Sequence, residues 1–251
     1  MEFNLEIFII VGLISFFSAF IHGSIGLGFS LVATPLLALF TDIQTAIILT
    51  LIPTLLTNII SIKSEGDILS ASRRYLSLAF FAMIGSAIGT QILIFTNTEI
   101  FKALLAVAIV MYLLAERVNF NFIWVSEHQR FSKFIFGLSA GILGGLTNVM
   151  APILIVYSLE SKHSKGDTIQ VLNFCFFFGK ITQLILFIIN GKFTLSQLSL
   201  SSLMFLAASF ALYAGIKIRK KIKVSAYRKI LRVVLLILAV LLLYQVSKIV
   251  L

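Results

Sequence analysis

The stretch Phe20-Ile-His-Gly-Ser-Ile-Gly-Leu-Gly-Phe-Ser-Leu-Val-Ala-Thr-Pro35 lies inside an apolar run from about residue 7 to 40. Glycines, a histidine, hydroxyl side chains and a proline are unusual in so apolar a run. A second stretch, Gly137-Leu-Ser-Ala-Gly-Ile-Leu-Gly-Gly-Leu-Thr-Asn-Val-Met-Ala-Pro152, is similar to it. An offset of 117 residues pairs Gly28 with Gly145, Ser30 with Thr147 and Pro35 with Pro152. The two stretches are therefore interpreted as copies of one unit.

The composition defines the class of protein. Of 251 residues, 59% are hydrophobic and only 12% are charged, whereas charged residues make up about a quarter of a soluble domain. Several apolar runs reach the length of about 20 residues that a helix needs to cross a bilayer. The alternating ten-residue pattern of outer-membrane barrels is absent. We therefore predict an all-α integral membrane protein, multi-pass in the cell (inner) membrane.

The charge distribution indicates a membrane protein rather than a nucleic-acid-binding one. The net charge is +10, but the basic residues lie in short loops between apolar runs, as the positive-inside rule describes. Anionic lipid headgroups on the cytoplasmic side are the expected partners, and nucleic acid is not.

The single Cys175 excludes a disulfide or a cysteine metal site within the chain. The N-terminus lacks the basic region of a cleaved signal peptide, so we expect the first run to be retained as structure.

Loop charges argue against one crossing per apolar run. The runs cover about 7–40, 43–62, 75–95, 99–115, 134–158, 168–190, 196–216 and 227–248. Eight crossings place the basic connection from Lys217 to Arg232 outside, against the positive-inside rule. A break in run 134–158 at its glycines, which returns the chain to the cytoplasmic side, places this connection inside. The same break suits run 7–40, which as one helix would be about 51 Å long against a hydrocarbon core of about 30 Å.

The breaks predict two inverted repeats. Each repeat is a broken helical segment, re-entrant or two-armed, plus three transmembrane helices, with residues 1–117 and 134–251 joined by a cytoplasmic connection at 118–133. Re-entrant hairpins and pairs of full crossings both remain open. Inverted repeats with interrupted helices that meet near the midplane are a common plan of transporters. The alternative is that the glycines only allow close helix packing, as we predict for Gly85 and Gly89.

The two breaks are predicted to bind a small oxyanion. A helix end at membrane depth leaves backbone N–H groups free, and its positive dipole end favours negative charge. Glycines let an anion approach the backbone closely. Lys180 stands at the centre of an apolar run too far from either interface to snorkel, and no acidic residue falls inside a span. The substrate is its predicted counter-charge, with structural support from Asn173 or Gln183 as the alternative.

Other polar residues complete the predicted site. His22 is interpreted as a structural residue or as a site residue whose protonation adds charge or couples transport to protons. Asn58 lies in the span that follows the first broken segment, and Lys180 lies in the span that follows the second. Asn58 also shares a helix face with Thr54. The predicted substrate-binding residues are His22, Gly23, Ser24, Gly26, Gly28, Asn58, Gly144, Gly145, Thr147, Asn148, Asn173, Lys180 and Gln183.

The duplicated motif resembles that of a known family. The Gly-rich stretches with a downstream proline, Gly23–Pro35 and Gly137–Pro152, the spacing of the runs and the overall length resemble the sulfite exporter TauE/SafE family of prokaryotic membrane transporters. The resemblance covers essentially the whole chain and implies transport of small sulfur-containing or organic anions such as sulfite, sulfonates or sulfoacetate. The first motif departs from the commoner glycine triplet, since it reads Gly26-Leu-Gly28-Phe29.

An enzyme and an anion channel are the two alternatives to a transporter. An enzyme needs a nucleophile with its base or a metal cluster, yet His22, His128 and His163 fall in separate segments. We therefore predict no catalytic residue, no metal and no cofactor. An anion channel, with the same broken helices lining a pore, is the alternative to a carrier. A coupling ion, proton or sodium, and a homo-oligomer remain open as partners beside the small anionic substrate.

Overall fold

The computed structural model describes residues 5–96, 99–115, 123–219 and 224–250, which form helices and, within these ranges, no strand. Six of the helices are long and apolar enough to cross a membrane, and three shorter helices are also apolar. The helices are α1 Leu5–Ile25, α2 Phe29–Ala38, α3 Ile43–Ser64, α4 Ile68–Phe95, α5 Glu99–Ala115, α6 Ile123–Glu127, α7 Gln129–Thr147, α8 Ala151–Glu160, α9 Lys165–Ile189, α10 Leu195–Arg219 and α11 Val224–Val250.

The first long apolar run is divided between α1 and α2. The connection, residues 26–28 and here named break 1, contains Gly26 with φ 95° and Gly28 with φ 114°. Only glycine adopts this region of φ without a steric penalty, so the two glycines determine where the helix stops. Pro35 lies inside α2 and is not part of the break.

The second long run is divided between α7 and α8. The connection, residues 148–150 and here named break 2, begins at Asn148, which adopts φ 68° and caps α7. Asparagine is the commonest substitute for glycine at this left-handed position. The sequence analysis placed the break at the glycines of run 134–158; Gly144 and Gly145 lie inside α7, and the helix ends at Asn148.

Several helix boundaries of the two halves are separated by a spacing different from the predicted offset. The helices before the breaks end at Ile25 and Thr147, which are 122 residues apart, and α2 and α8 are each 10 residues long. The side chains that cap α3 and α9, Asp42 and Ser164, are also 122 residues apart. The predicted offset of 117 is therefore wrong, because it aligned the glycines of break 1 with glycines that serve helix packing in the second half.

Basic side chains gather at one end of the helix bundle, here named the basic face. They are Lys63, Arg73, Arg74, Arg130, Lys133, Lys162, Lys165 and Lys217. Arg74 pairs with Asp167 at 2.8 Å, and Gln170 Nε2 donates to the Ile62 carbonyl at 3.4 Å, so α3, α4 and α9 meet at this face. The other end, the opposite face, carries Lys102, Lys192 and Lys248. Arg117 and residues 220–223 of the basic connection lie outside the described ranges.

Each broken segment returns to the face where it began. The start of α1 and the end of α2 share a cavity near the opposite face, lined by Ile7, Ile10, Val11, Leu37, Phe40, Thr41, Leu49 and Leu200. In the second half, His163 follows α8 at the basic face, with its ring 5.8 Å from that of Tyr75 and 5.7 Å from that of Tyr157. Burial lowers the pKa of His163 below its usual value, so this contact involves a neutral ring at pH 7.

Glycines bring two helix pairs into backbone contact. A Cβ atom on Gly85 would lie 2.1 Å from the carbonyl oxygen of Leu138, and one on Gly89 would lie 2.4 Å from that of Ile142. The predicted packing role of Gly85 and Gly89 is thereby confirmed, and α7 contributes Gly141 to the same contact. The pair α1 and α10 is built in the same way: a Cβ on Gly23 would lie 2.6 Å from the Leu212 carbonyl oxygen.

Candidate functional site

The predicted site residues fall into two groups, one at each break. Break 1 borders a narrow pocket with a cavity volume of about 20 Å³. The lining residues are His22, Leu27, Gly28, Phe29, Ser30, Leu31, Thr54, Asn58, Ala151, Leu172, Asn173 and Phe176. Four predicted residues, His22, Gly28, Asn58 and Asn173, are therefore brought together, and no lining residue is acidic. Ala151 comes from the start of α8, so both broken segments border this pocket.

His22 connects the two arms of the first broken segment. The backbone N–H of Phe29, the first residue of α2, donates to Nδ1 at 3.1 Å, and Nε2 lies 2.7 Å from the Ser61 hydroxyl. Because Nδ1 accepts a hydrogen bond, this pattern assigns the ring proton to Nε2 and leaves the imidazole neutral. His22 therefore caps the N-terminus of α2, and a role in substrate binding stays a prediction.

Asn58 offers the pocket a donor. Its side chain is only 2% exposed, and within the described ranges its Nδ2 has no hydrogen-bond partner. A buried amide group without a partner is costly, about 1–3 kcal/mol, and is rare in folded proteins. Nearby, Asn173 Nδ2 is occupied, since it donates to the Gly26 carbonyl at 2.8 Å. The Ser30 and Thr54 hydroxyls are 2.9 Å apart.

Lys180 is the centre of the second group, at break 2. It is fully buried, and Nζ donates to Asn148 Oδ1 and Gln183 Oε1. Gln183 Nε2 in turn donates to the Gly145 carbonyl at 3.2 Å. No carboxylate in the part of the chain that the structure describes forms an ion pair with Lys180. The contacts of Nζ are thus neutral amides, with no carboxylate among them.

Asn148 joins the two halves of the protein. Its Nδ2 donates to the Thr34 hydroxyl of α2 at 2.6 Å and to the Thr50 hydroxyl of α3 at 2.8 Å. Neither threonine was predicted to belong to the site. Their spacing contained a signal, because Ser30 and Thr34 are four residues apart, as are Thr50 and Thr54, and such pairs share a helix face.

The remaining predicted residues have local contacts. Gly23 packs against α10, and the hydroxyls of Ser24 and Thr147 donate to carbonyls of their own helices, at 2.8 and 2.7 Å. A Cβ on Gly144 would meet the Met150 side chain at 2.3 Å. These residues shape the breaks, and their contact with a substrate stays a prediction. Among the described residues, no group of three His, Cys, Asp or Glu side chains could hold a metal ion.

Apolar spans together with buried polar groups at interrupted helices define a class, the multi-pass membrane transport proteins. The family model described as Sulfite exporter TauE/SafE matches residues 11–242. The chain therefore belongs to the TauE/SafE sulfite exporter family, a family of membrane transporters of sulfite-type anions, and is a multi-pass protein of the cell (inner) membrane. No curated protein and no solved structure matches the chain.

Proposed function

We propose that this protein is a secondary transporter that carries small sulfite-type or organic anions across the membrane by alternating access, with the anion bound in the pocket at break 1. The observation that supports this most strongly is the unpartnered Nδ2 of Asn58 in a pocket without an acidic lining residue. An anion oxygen would supply the missing acceptor. The pocket also lies at the N-terminus of α2, where backbone N–H groups lack partners within the helix and favour negative charge.

Lys180 adds a long-range attraction for the anion. Asn173 borders the pocket and precedes Lys180 by seven residues of α9, which is about 10 Å along a helix. Opposite unit charges at about 10 Å attract by roughly 1.5 kcal/mol at an effective dielectric constant of about 20. This is about tenfold in affinity. A neutral analogue of the same shape gains nothing from it, so the lysine favours anions over neutral solutes.

The carrier mechanism follows from an arrangement of two inverted repeats, residues 1–117 and 134–251, joined by 118–133. The offset of 122 residues, which holds from the two breaks to the starts of α3 and α9, supports the duplication, and the return of the broken segments to opposite faces supports the inversion. Packing is paired as well: α1 contacts α10 as α7 contacts α4, and α3 contacts α10 as α9 contacts α4. Two halves that exchange conformation around a midplane site give access from each side in turn.

Labelled sulfite flux in proteoliposomes tests this function. Unlabelled sulfite loaded inside should accelerate uptake of external [35S]sulfite severalfold, because a carrier that returns loaded is faster than one that returns empty. Uptake should saturate and should be inhibited by sulfoacetate and methanesulfonate more than by neutral dimethyl sulfone. Proton or sodium gradients imposed in the same assay identify the coupling ion. Ohmic current without acceleration by internal sulfite would instead assign an anion channel, and absence of any anion flux would refute both.

A further inference from the structure

One contact at break 1 has a counterpart at break 2. At the offset of 122 residues, the paired positions are His22 with Gly144, Gly26 with Asn148, Asn58 with Lys180, and Ser61 with Gln183. His22 contacts Ser61 at 2.7 Å, and at the paired positions Gln183 Nε2 lies 3.5 Å from the Gly144 carbonyl. Lys180 therefore occupies, in the second half, the position that Asn58 occupies in the first.

The two positions lie at different depths. Asn58 and Lys180 both stand 15 residues after the first residue of their helices, Ile43 and Lys165, and these helices start at opposite faces. Asn58 is six residues, about 9 Å, from the end of α3 at the basic face. Lys180 is nine residues, about 14 Å, from the end of α9 at the opposite face. Each residue is thus closer to a different side of the membrane.

The two positions are also in different states. Asn58 borders a pocket and lacks a partner for Nδ2 within the described structure. Around Lys180 the described side chains are in close contact: Nζ donates to Asn148 and Gln183, and the Met150 side chain lies between Gly144 and Gly179, where added Cβ atoms would meet it at 2.3 and 2.4 Å. The site at break 1 thus has empty space beside it, whereas the side chains around Lys180 are in close contact.

From these observations we infer that Lys180, Asn148 and Gln183 form a second oxyanion subsite, closed in this structure, that opens toward the opposite face. On opening, oxygens of the anion replace the two amide oxygens on the ammonium. This inference rests on the proposed transport function and assigns the subsite that the anion occupies when the carrier faces the other side. The chemistry favours the exchange, since a charge-assisted hydrogen bond to an anion is about twice as strong as one to a neutral amide. The amides leave a buried charge uncompensated, and an anion neutralises it.

The test compares the two sides of the membrane. Right-side-out and inside-out vesicles present opposite faces to [35S]sulfite, and impermeant maleimide labelling of Lys63→Cys and Lys192→Cys proteins verifies their orientation. We expect Lys180→Met to raise the KM for sulfite about tenfold at the basic face, where only the long-range attraction is lost, and about a hundredfold at the opposite face, where the direct hydrogen bonds to the anion are lost as well. Asn58→Leu should show the reverse. Lys180→Arg, which retains the charge, should keep the opposite-face KM within a few fold, and Thr182→Val, which loses only a bond to its own helix, serves as control.

A thiol measurement covers the case in which Lys180→Met does not fold. In a Cys175→Ala background, Gln183→Cys should react with an impermeant methanethiosulfonate from the opposite face, and sulfite should slow the reaction. Reaction from the basic face alone, or no reaction in a protein that still transports sulfite, overturns the inference, as does an equal KM change at both faces. Each of these outcomes would leave counterflow by the wild-type protein unchanged. They would therefore overturn the second subsite without contradicting the proposed transport function.

Discussion

Lys180→Met protein is expected to transport sulfite about a hundredfold more slowly than the wild type. The substitution keeps the length of the side chain and removes its charge. Loss of the long-range attraction on an anion in the pocket lowers the transport rate about tenfold. Loss of the charge-assisted hydrogen bonds at the second subsite lowers it about tenfold more. The measurement is the initial rate of [35S]sulfite counterflow at a concentration below KM, normalised to folded protein by size-exclusion chromatography.

Folding defects must be separated from loss of transport in this variant. The substitution leaves the Asn148 and Gln183 amide oxygens without their donor, which costs about 1–3 kcal/mol for each buried group, so a lower melting temperature is expected as well. Lys192→Met, in the loop before α10 at the opposite face, is the matched control and should retain full flux. Flux within twofold of the wild type in folded Lys180→Met protein would show that the charge has no part in transport.

Gly141→Ala protein is expected to lose about 3 kcal/mol of stability. The new Cβ would lie 2.2 Å from the Ala82 carbonyl oxygen and 2.8 Å from the Ser86 backbone nitrogen. Both are backbone atoms, so α4 and α7 must move apart, and overpacking of this kind costs roughly 1–3 kcal/mol or more. For a chain of this size, about 3 kcal/mol lowers the melting temperature by roughly 6–12 °C.

The control for this prediction is Gly12→Ala, because no other atom lies within 4 Å of a Cβ at Gly12. Its melting temperature in detergent should stay within about 2 °C of the wild type or rise, since alanine is the better helix former. Equal melting temperatures for Gly141→Ala and the wild type would mean that the glycine contact between α4 and α7 does not stabilise the protein.

The sequence contained more about the topology than about the site. Composition defined the membrane class, and the charge of the connection after Lys217 argued that run 134–158 returns to its starting side. The glycines of the second stretch do not themselves mark the turn, because glycine has two uses in membrane helices. At Gly26 and Gly28 it permits positive φ, whereas at Gly145 it permits contact with Gly89 of α4. Local sequence does not distinguish these uses, and the turn itself uses Asn148.

The partners of the site residues could not be predicted because they are distant in the chain. His22 contacts Ser61, 39 residues away, and Asn148 contacts Thr34, 114 residues away. Lys180 was singled out correctly as a buried lysine without an acidic partner in its span. Its hydrogen bonds to Asn148 and Gln183 depend on how α7 and α9 pack. The sequence therefore did not show that Lys180 Nζ already has hydrogen-bond partners in this structure.

Equilibrium binding of [35S]sulfite to purified protein tests the pocket most directly. The wild type should bind sulfite, and Asn58→Leu should bind it at least about tenfold more weakly, because the leucine offers no donor for an anion oxygen. Asn190→Leu, which changes an asparagine at the end of α9 whose Nδ2 already donates to the Leu186 carbonyl, should bind like the wild type. If folded Asn58→Leu protein binds sulfite as tightly as the wild type, the anion does not bind in the pocket at break 1.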